Sequence, residues 1–194
     1  VSNSNSHSVS PIFFESMYQR DPDPWSFSNS AYELERYKAI LTALSHRRYI
    51  RAFEPGCSIG ILTQKLATLC DSVLAVDFSP TAAATAQSRC ANLTNVTVQC
   101  APFTLPVAHN CFDLLVFSEI GYYFEPDEWH RLADSFIRNA PSGGILLAAH
   151  WLGHSADHAI SGDQVHEILR AHPLLRLQYE ERSDKFRLDR LVRV

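Results

Sequence analysis

Apolar residues recur along the chain in two rhythms, and their alternation predicts the architecture. Short, nearly continuous apolar runs at 50–54, 73–77, 96–100, 112–118 and 144–150 have the length of strands buried on both faces, with weaker candidates at 174–180 and 186–193. Between them, helical spacing falls near 60–69, 80–91, 127–140 and 161–171. Pro80 after Ser79 marks a helix start, and Ser142-Gly143-Gly144 marks a helix end and tight turn before the next strand. This order predicts an α/β fold: a mostly parallel seven-stranded sheet with helices on both faces. Only Glu180 to Lys185 separates the last two candidates, room for a hairpin, so the last strand is expected to be antiparallel.

The pattern is different at the N-terminus. Residues 1–10 are polar and rich in Ser and Asn, as in a mobile tail, and do not resemble a signal peptide. Ile12, Phe13, Met17 and Tyr18 have the spacing of a short amphipathic helix, halted by Pro22 and Pro24, with Trp25 and Phe27 in the loop beyond. Ser30 reads as a helix cap with Glu33 completing a capping box, and Tyr37, Ile40, Leu41 and Leu44 continue the apolar side of that helix to about Ser45. Residues 1–29 are therefore expected to form a tail and lid, and residues 30–194 a single domain.

Composition narrows the classes. The 194 residues suit one domain with a proper core, and 46% hydrophobic with 20% charged residues is ordinary for a soluble globular protein. A net charge of −4 gives no reason to expect nucleic acid, which normally needs a basic face. Five cysteines, odd in number and without paired metal spacing, suit a reducing compartment. No apolar stretch reaches membrane-spanning length, so a cytoplasmic protein without membrane partners is expected.

The candidate chemistry starts at the first strand. Glu54-Pro55-Gly56-Cys57-Ser58-Ile59-Gly60 is a two-glycine turn leading into a helix, and the next strand ends on Asp77, about 20 residues on. That spacing suits a ribose-binding acid, with Phe78 beside it; Asp77 as the cap of the following helix is the alternative, though Ser79 competes for it. A dinucleotide site wants Gly-x-Gly-x-x-Gly, whereas here an acid precedes the first glycine, which suits a cationic ligand better than a phosphate. The fourth strand turns abruptly polar at Ser118-Glu119, followed by Gly121-Tyr122-Tyr123. Glu119 reads as a site acid or a solvated loop acid, and the tyrosines as the mouth of an acceptor pocket or as edge packing. The fifth strand ends at His150-Trp151, with His154 and His158 following at intervals of four. A metal would suit that interval on a helix, but Gly153 and the preceding strand argue against one, so no metal is expected. His150 and His154 are assigned to the pocket, and some of the remaining histidines to the surface.

Glu54-x-Gly56-x-x-x-Gly60 with Asp77 resembles the cofactor motif of class I S-adenosylmethionine-dependent methyltransferases over residues 30–150. Asp23-Pro24-Trp25, Tyr32-Glu33-Leu34-Glu35-Arg36-Tyr37 and Ser118-Glu119-Ile120-Gly121-Tyr122-Tyr123 are similar to the lid, first helix and fourth-strand signature of the nodulation protein S-type N-methyltransferases. The resemblance implies a Rossmann-like sheet, S-adenosyl-L-methionine as cofactor with S-adenosyl-L-homocysteine as product, and methylation of a free amine on a chitin-like oligosaccharide. It implies that Glu54, Gly56, Gly60 and Asp77 hold the cofactor and that Arg36 pairs with its carboxylate; Cys57, Phe78, Phe103 and Ser118 are further candidates for the cofactor site. Trp25, Tyr122, Tyr123, Trp151 and His154 would bind the small-molecule or oligosaccharide acceptor, with Glu119 and His150 as candidate bases. The chain departs from the pattern at Ala101-Pro102, where such enzymes usually carry an Asp and a free N–H for adenine; Phe103 could instead pack on the ring or lie in the core.

Three other readings compete. Aromatic residues at the mouth also suit an O- or N-methyltransferase of a small aromatic metabolite, and Ala101-Pro102 suits a non-catalytic cofactor-binding protein. A nicotinamide-dependent reductase is disfavoured by Ser58 and by the absence of a Tyr-x-x-x-Lys pair.

Overall fold

The computed structural model describes residues 10–103 and 111–194; apart from Ser10, the expected tail lies outside them. Helix α1 (Pro11–Arg20) starts where Ser10 accepts the Phe13 N–H and Pro11 occupies the first turn, and the chain leaves the helix before Pro22. The Asp23 carboxylate then accepts the N–H groups of Phe27 (2.8 Å) and Ser28 (2.9 Å), which turns the chain into α2 (Ala31–Leu44). Ser30 caps α2 through its backbone only. The expected capping box is absent because the buried Glu33 pairs with Arg36 one turn on.

Beyond α2 the elements alternate: β1 (Tyr49–Pro55), α3 (Ile61–Leu66), β2 (Cys70–Asp77), α4 (Pro80–Cys90), β3 (Val96–Cys100), β4 (Leu114–Ser118), a single 3-10 turn (Gly121–Tyr123), α5 (Pro126–Asn139), β5 (Ile145–Trp151), α6 (Gly162–Arg170), β6 (Leu175–Arg182) and β7 (Phe186–Arg193). The seven strands form one sheet in the order β3-β2-β1-β4-β5-β7-β6. β1 to β5 pair in parallel, and β7 runs antiparallel to both β5 and β6, as the short final connection requires.

Apolar runs without alternation are explained by burial on both faces. In β4, Leu114 and Val116 pack with α2 and α3, while Leu115 and Phe117 pack with α5 and α6. β5 follows the same parity: Leu147 and Ala149 face the first layer, Leu146 and Ala148 the second. His150 continues the second set, which places its ring beneath α6. Because β1 pairs with β2 on one side and β4 on the other, the direction of strand order reverses at β1. Ligands of open α/β sheets bind at the carboxyl ends of the strands beside such a switch point.

Candidate active site

The turn after β1 is built by its backbone. The N–H groups of Gly56 and Cys57 both donate to the Val76 carbonyl of β2, at 2.8 and 3.0 Å, which clamps the turn to the neighbouring strand. Gly56 has φ +71°, and a Cβ there would come within 2.5 Å of Ile120 Cγ2. Gly60, at φ +81°, serves a different contact from the one expected: a Cβ would meet Ala86 of α4 at 3.0 Å, so this glycine packs helix against loop and does not line the cavity.

Asp77 sits at the end of β2 and links the two halves of this cradle. One carboxylate oxygen accepts the Ser58 N–H and the other the Ser79 N–H, both at 2.9 Å. Ser79, not Asp77, caps α4 through its side chain. Burial pushes Asp77 up to about 6, against the pull of those two amides. Each oxygen has a further lone pair, so the carboxylate can still take two hydroxyl donors from the cavity it lines. Glu54 is more deeply enclosed, bonded to Thr63 Oγ1 at 2.7 Å, and burial pushes it up to about 8. Buried Cys57 lies beside them.

These groups open on a cavity of about 1130 Å³ at the carboxyl ends of β1, β2, β4 and β5. Phe78 and Phe103 stand together on its wall with ring centroids 5.4 Å apart. Trp25 covers it from the N-terminal segment, in contact with Phe27 and Tyr18 at centroid separations of 5.5 Å. Glu15 of α1 ties that segment down: its carboxylate bonds Ser79 Oγ and Thr81 Oγ1, both at 2.6 Å, and these bonds lower its pKa to about 2. Among the described residues, Glu33, Glu54, Asp77, Glu119, Glu128 and Asp157 line the cavity, against Arg36 and Arg131. Such a wall favours a cationic ligand over an anionic one.

On the opposite wall a side-chain network replaces backbone geometry. Glu119 follows β4 with φ +59°, a left-handed conformation that a non-glycine residue adopts at a cost. Its carboxylate accepts Trp151 N–H (2.9 Å), Tyr32 O–H (3.1 Å) and Tyr122 O–H, and stands 3.4 Å from Arg36 Nε. Arg36 also bonds Ser118 and Glu33. Burial works against its charge, but Glu119 and Glu33 more than offset it and hold the guanidinium protonated. Thus Arg36 lines the cavity while three of its contacts are to this protein. Ser118, Tyr122, Tyr123, Trp151 and His154 lie on the cavity wall where they were expected.

His150 does not. Its side chain is fully buried beneath α6, outside the cavity lining. Nε2 accepts the Gly121 N–H at 3.1 Å, and Nδ1 meets His166 Nε2 at 3.2 Å; His166 Nδ1 in turn meets Asp189 at 2.8 Å. Burial, then the neighbouring His166, lowers the pKa of His150, so a neutral ring with both nitrogens engaged sits where a base was expected. The cause is strand parity, which turns position 150 toward the core. Of the remaining histidines, His166 is fully buried and His158 lines the cavity. Among the described residues no group of three or more His, Cys, Asp or Glu could hold a metal ion. Nor is any described helix long and apolar enough to cross a membrane.

Several cavity residues escaped the sequence reading. Tyr32 could have been found from its place one turn before Arg36 on the same helix. Phe14 and Asp157 carried no motif that would single them out, and His158 stood out only through the four-residue histidine interval weighed for a metal.

Comparison with known proteins gives a consistent result. The family model described as nodulation protein S (NodS) matches residues 15–142. Nodulation protein S of Sinorhizobium fredii is 33% identical over 66% of this chain, a match spanning 60% of that protein's length. The protein of the same name from Bradyrhizobium diazoefficiens is 32% identical over 77% of this chain and 78% of its own. Among solved structures, the N-methyltransferase NodS of Bradyrhizobium japonicum, in complex with S-adenosyl-L-homocysteine, superposes with a TM-score of 0.82 at 21% identity, covering 95% of this chain and 99% of that one. At that identity the likeness speaks for the fold, a Rossmann-like sheet. A methyltransferase structure from Pseudomonas syringae, described as putative, matches at 32% identity and TM-score 0.73, covering 84% of this chain and all of that one.

Proposed function

The chain belongs to the nodulation protein S family, and from that premise we propose that it is an S-adenosylmethionine-dependent N-methyltransferase acting on an amine of an amino sugar or glycan-like acceptor. Residues 10–29 serve as its lid, and residues 30–194 as its catalytic domain.

The observation that carries this reading is the acid-lined cavity at the switch point, where Asp77 is held by two backbone amides and keeps lone pairs that a ribose diol could use. The residues present fit the cofactor. When bound, S-adenosylmethionine supplies an electrophilic methyl group on a positively charged sulfur, and S-adenosylhomocysteine is the product. Asp77 gives the cavity negative charge for a cation, Glu54 is a protonated acid beside it that a cation would draw toward ionisation, Gly56 lets the backbone turn tightly at its wall, and Phe78 with Phe103 offers flat apolar surface for adenine. The last pair stands in for the Asp and N–H that Ala101-Pro102 do not provide.

Methyl transfer to nitrogen disperses charge, so the protein has no anion to stabilise and its task is alignment, worth roughly 7–11 kcal/mol in favourable systems. The Glu119 network supports that task by fixing Tyr32, Tyr122 and Trp151 around one carboxylate. Trp25, Tyr123 and Trp151 provide the faces on which a sugar ring stacks, and together with the lid they exclude water.

The test is incubation with methyl-labelled cofactor and two acceptor panels, glucosamine oligomers and phenolic or small aromatic amines, read by mass spectrometry. N-methylated glucosamine oligomer is expected. Methylation confined to the aromatic panel, or none on either, would refute the acceptor assignment.

A further inference from the structure

An acceptor amine reaches the cavity largely as an ammonium and must lose a proton before its lone pair can attack. Of the candidate bases in the acceptor half, Glu119 already accepts from three donors and pairs with Arg36, and His150 is sealed in the core. His154 lines the cavity but is exposed, with no partner for its ring among the described residues.

His158 differs from all three. It lies on the loop between β5 and α6, half-buried on the cavity wall. That loop is pinned in place: Ala159 N–H donates to the Tyr122 carbonyl at 2.8 Å, and His158 N–H to the Ser155 carbonyl at 3.1 Å. The imidazole stacks on the Tyr122 ring with centroids 3.8 Å apart and planes at 17°. Tyr123 and Trp151 stand perpendicular to it at 5.3 and 6.0 Å. Its position is therefore set before any ligand arrives. Its Nδ1 is enclosed without a hydrogen-bond partner among the described residues, the kind of orphaned polar atom that native structures rarely leave without a purpose. The adjacent Asp157, held by Ser155 Oγ, brings a carboxylate to the same wall.

We propose that His158 is the catalytic base of the acceptor half: its imidazole takes the proton from the acceptor ammonium, while Asp157 attracts that ammonium to the wall. The inference rests on the N-methyltransferase reading above. One N–H bond of the ammonium breaks and leaves its electron pair on nitrogen, and a ring nitrogen of His158 gains the proton. Nitrogen then gains a carbon as the methyl–sulfur bond breaks with its pair going to sulfur, and the imidazolium passes its proton to water on its exposed side. The charged and titratable groups around the ring are Asp157 and Glu119, which favour its protonation, and His154, which opposes it, with Tyr122 and Tyr123 as its aromatic neighbours. Burial, the largest influence, lowers its pKa, so the ring is neutral and able to accept at neutral pH.

The experiment compares the full chain with its His158→Gln and His158→Ala variants. S-adenosylhomocysteine binding is measured by calorimetry, and kcat/KM on tetra-glucosamine is followed from pH 6 to 9. Unchanged cofactor affinity is expected, with kcat/KM at pH 7 about 100-fold lower, a typical share for a positioned base. The deficit should shrink as pH rises and the amine deprotonates unaided, and added imidazole should restore part of the activity of His158→Ala. A pH profile and kcat/KM equal to wild type would overturn the proposal. Should either variant fold poorly, histidine-selective NMR of the wild-type protein with S-adenosylhomocysteine decides: addition of tetra-glucosamine should perturb the His158 ring and move its titration, and an unmoved titration overturns the assignment. Failure of the wild-type protein to bind S-adenosylhomocysteine would instead strike the methyltransferase reading.

Discussion

The two walls of the cavity solve one problem in opposite ways. Both bury carboxylates, which is costly unless the charge is removed or paired. On the β1–β2 wall, Glu54 is enclosed with a single hydroxyl partner and retains its proton to about pH 8. On the β4–β5 wall, Glu33 and Glu119 share the buried guanidinium of Arg36, and Glu119 takes three further donors. The first arrangement leaves negative charge available for an incoming cation to draw out. The second spends its charge internally and gains a fixed geometry. The proposed function, a sulfonium held on one side and a nucleophile aligned on the other, would benefit from both.

Breaking the paired wall should have the largest effect. Arg36→Met removes the common partner of buried Glu33 and partly buried Glu119, and a loss of about 3 kcal/mol in unfolding free energy is expected, at the lower end for breaking a buried ion pair. Urea unfolding at pH 7 measures it; a change below about 0.5 kcal/mol would mean that the network carries no stability.

The unpaired wall should respond to pH instead. Glu54 has a pKa raised from its ordinary 4.5 to about 8 in the folded protein. Below pH 4.5 both folded and unfolded chains hold its proton. Between 4.5 and 8 the unfolded chain releases the proton while the folded chain keeps it, so the contribution of this residue to stability is full below 4.5 and is lost as pH rises through 8. At about 1.4 kcal/mol per pKa unit the loss amounts to a few kcal/mol. Glu54→Gln should flatten the fall in stability between pH 5 and 8, measured by unfolding at both values. A slope identical to wild type would show that Glu54 ionises normally.

The same contrast explains what could be read from the sequence. The strands were found to within a few residues because doubly buried runs and helical spacing are local signals, and β3 and β7 matched their predicted ends. Asp77 and Gly56 were also local, set by one turn and one spacing. The acceptor wall is different: Tyr32 and Glu119 meet across 87 positions, and no local pattern encodes that contact. His150 was legible in principle, since Leu146, Ala148 and His150 share a strand face that the core claims. His158 was not, because its place depends on the loop being pinned to the Tyr122 carbonyl. Gly60 shows the limit of a motif: the glycine is required for its approach to Ala86 and its positive φ, and it does not line the cavity.

The central claim is that an adenosyl cofactor sits between the β1 turn and Asp77. Isothermal titration of the purified chain with S-adenosylhomocysteine, alongside Asp77→Ala and with NADH as control ligand, tests it most directly. Saturable one-to-one binding is predicted, weakened more than tenfold by Asp77→Ala, with no heat from NADH. Equal affinity in the variant, or binding of NADH in place of S-adenosylhomocysteine, would contradict it.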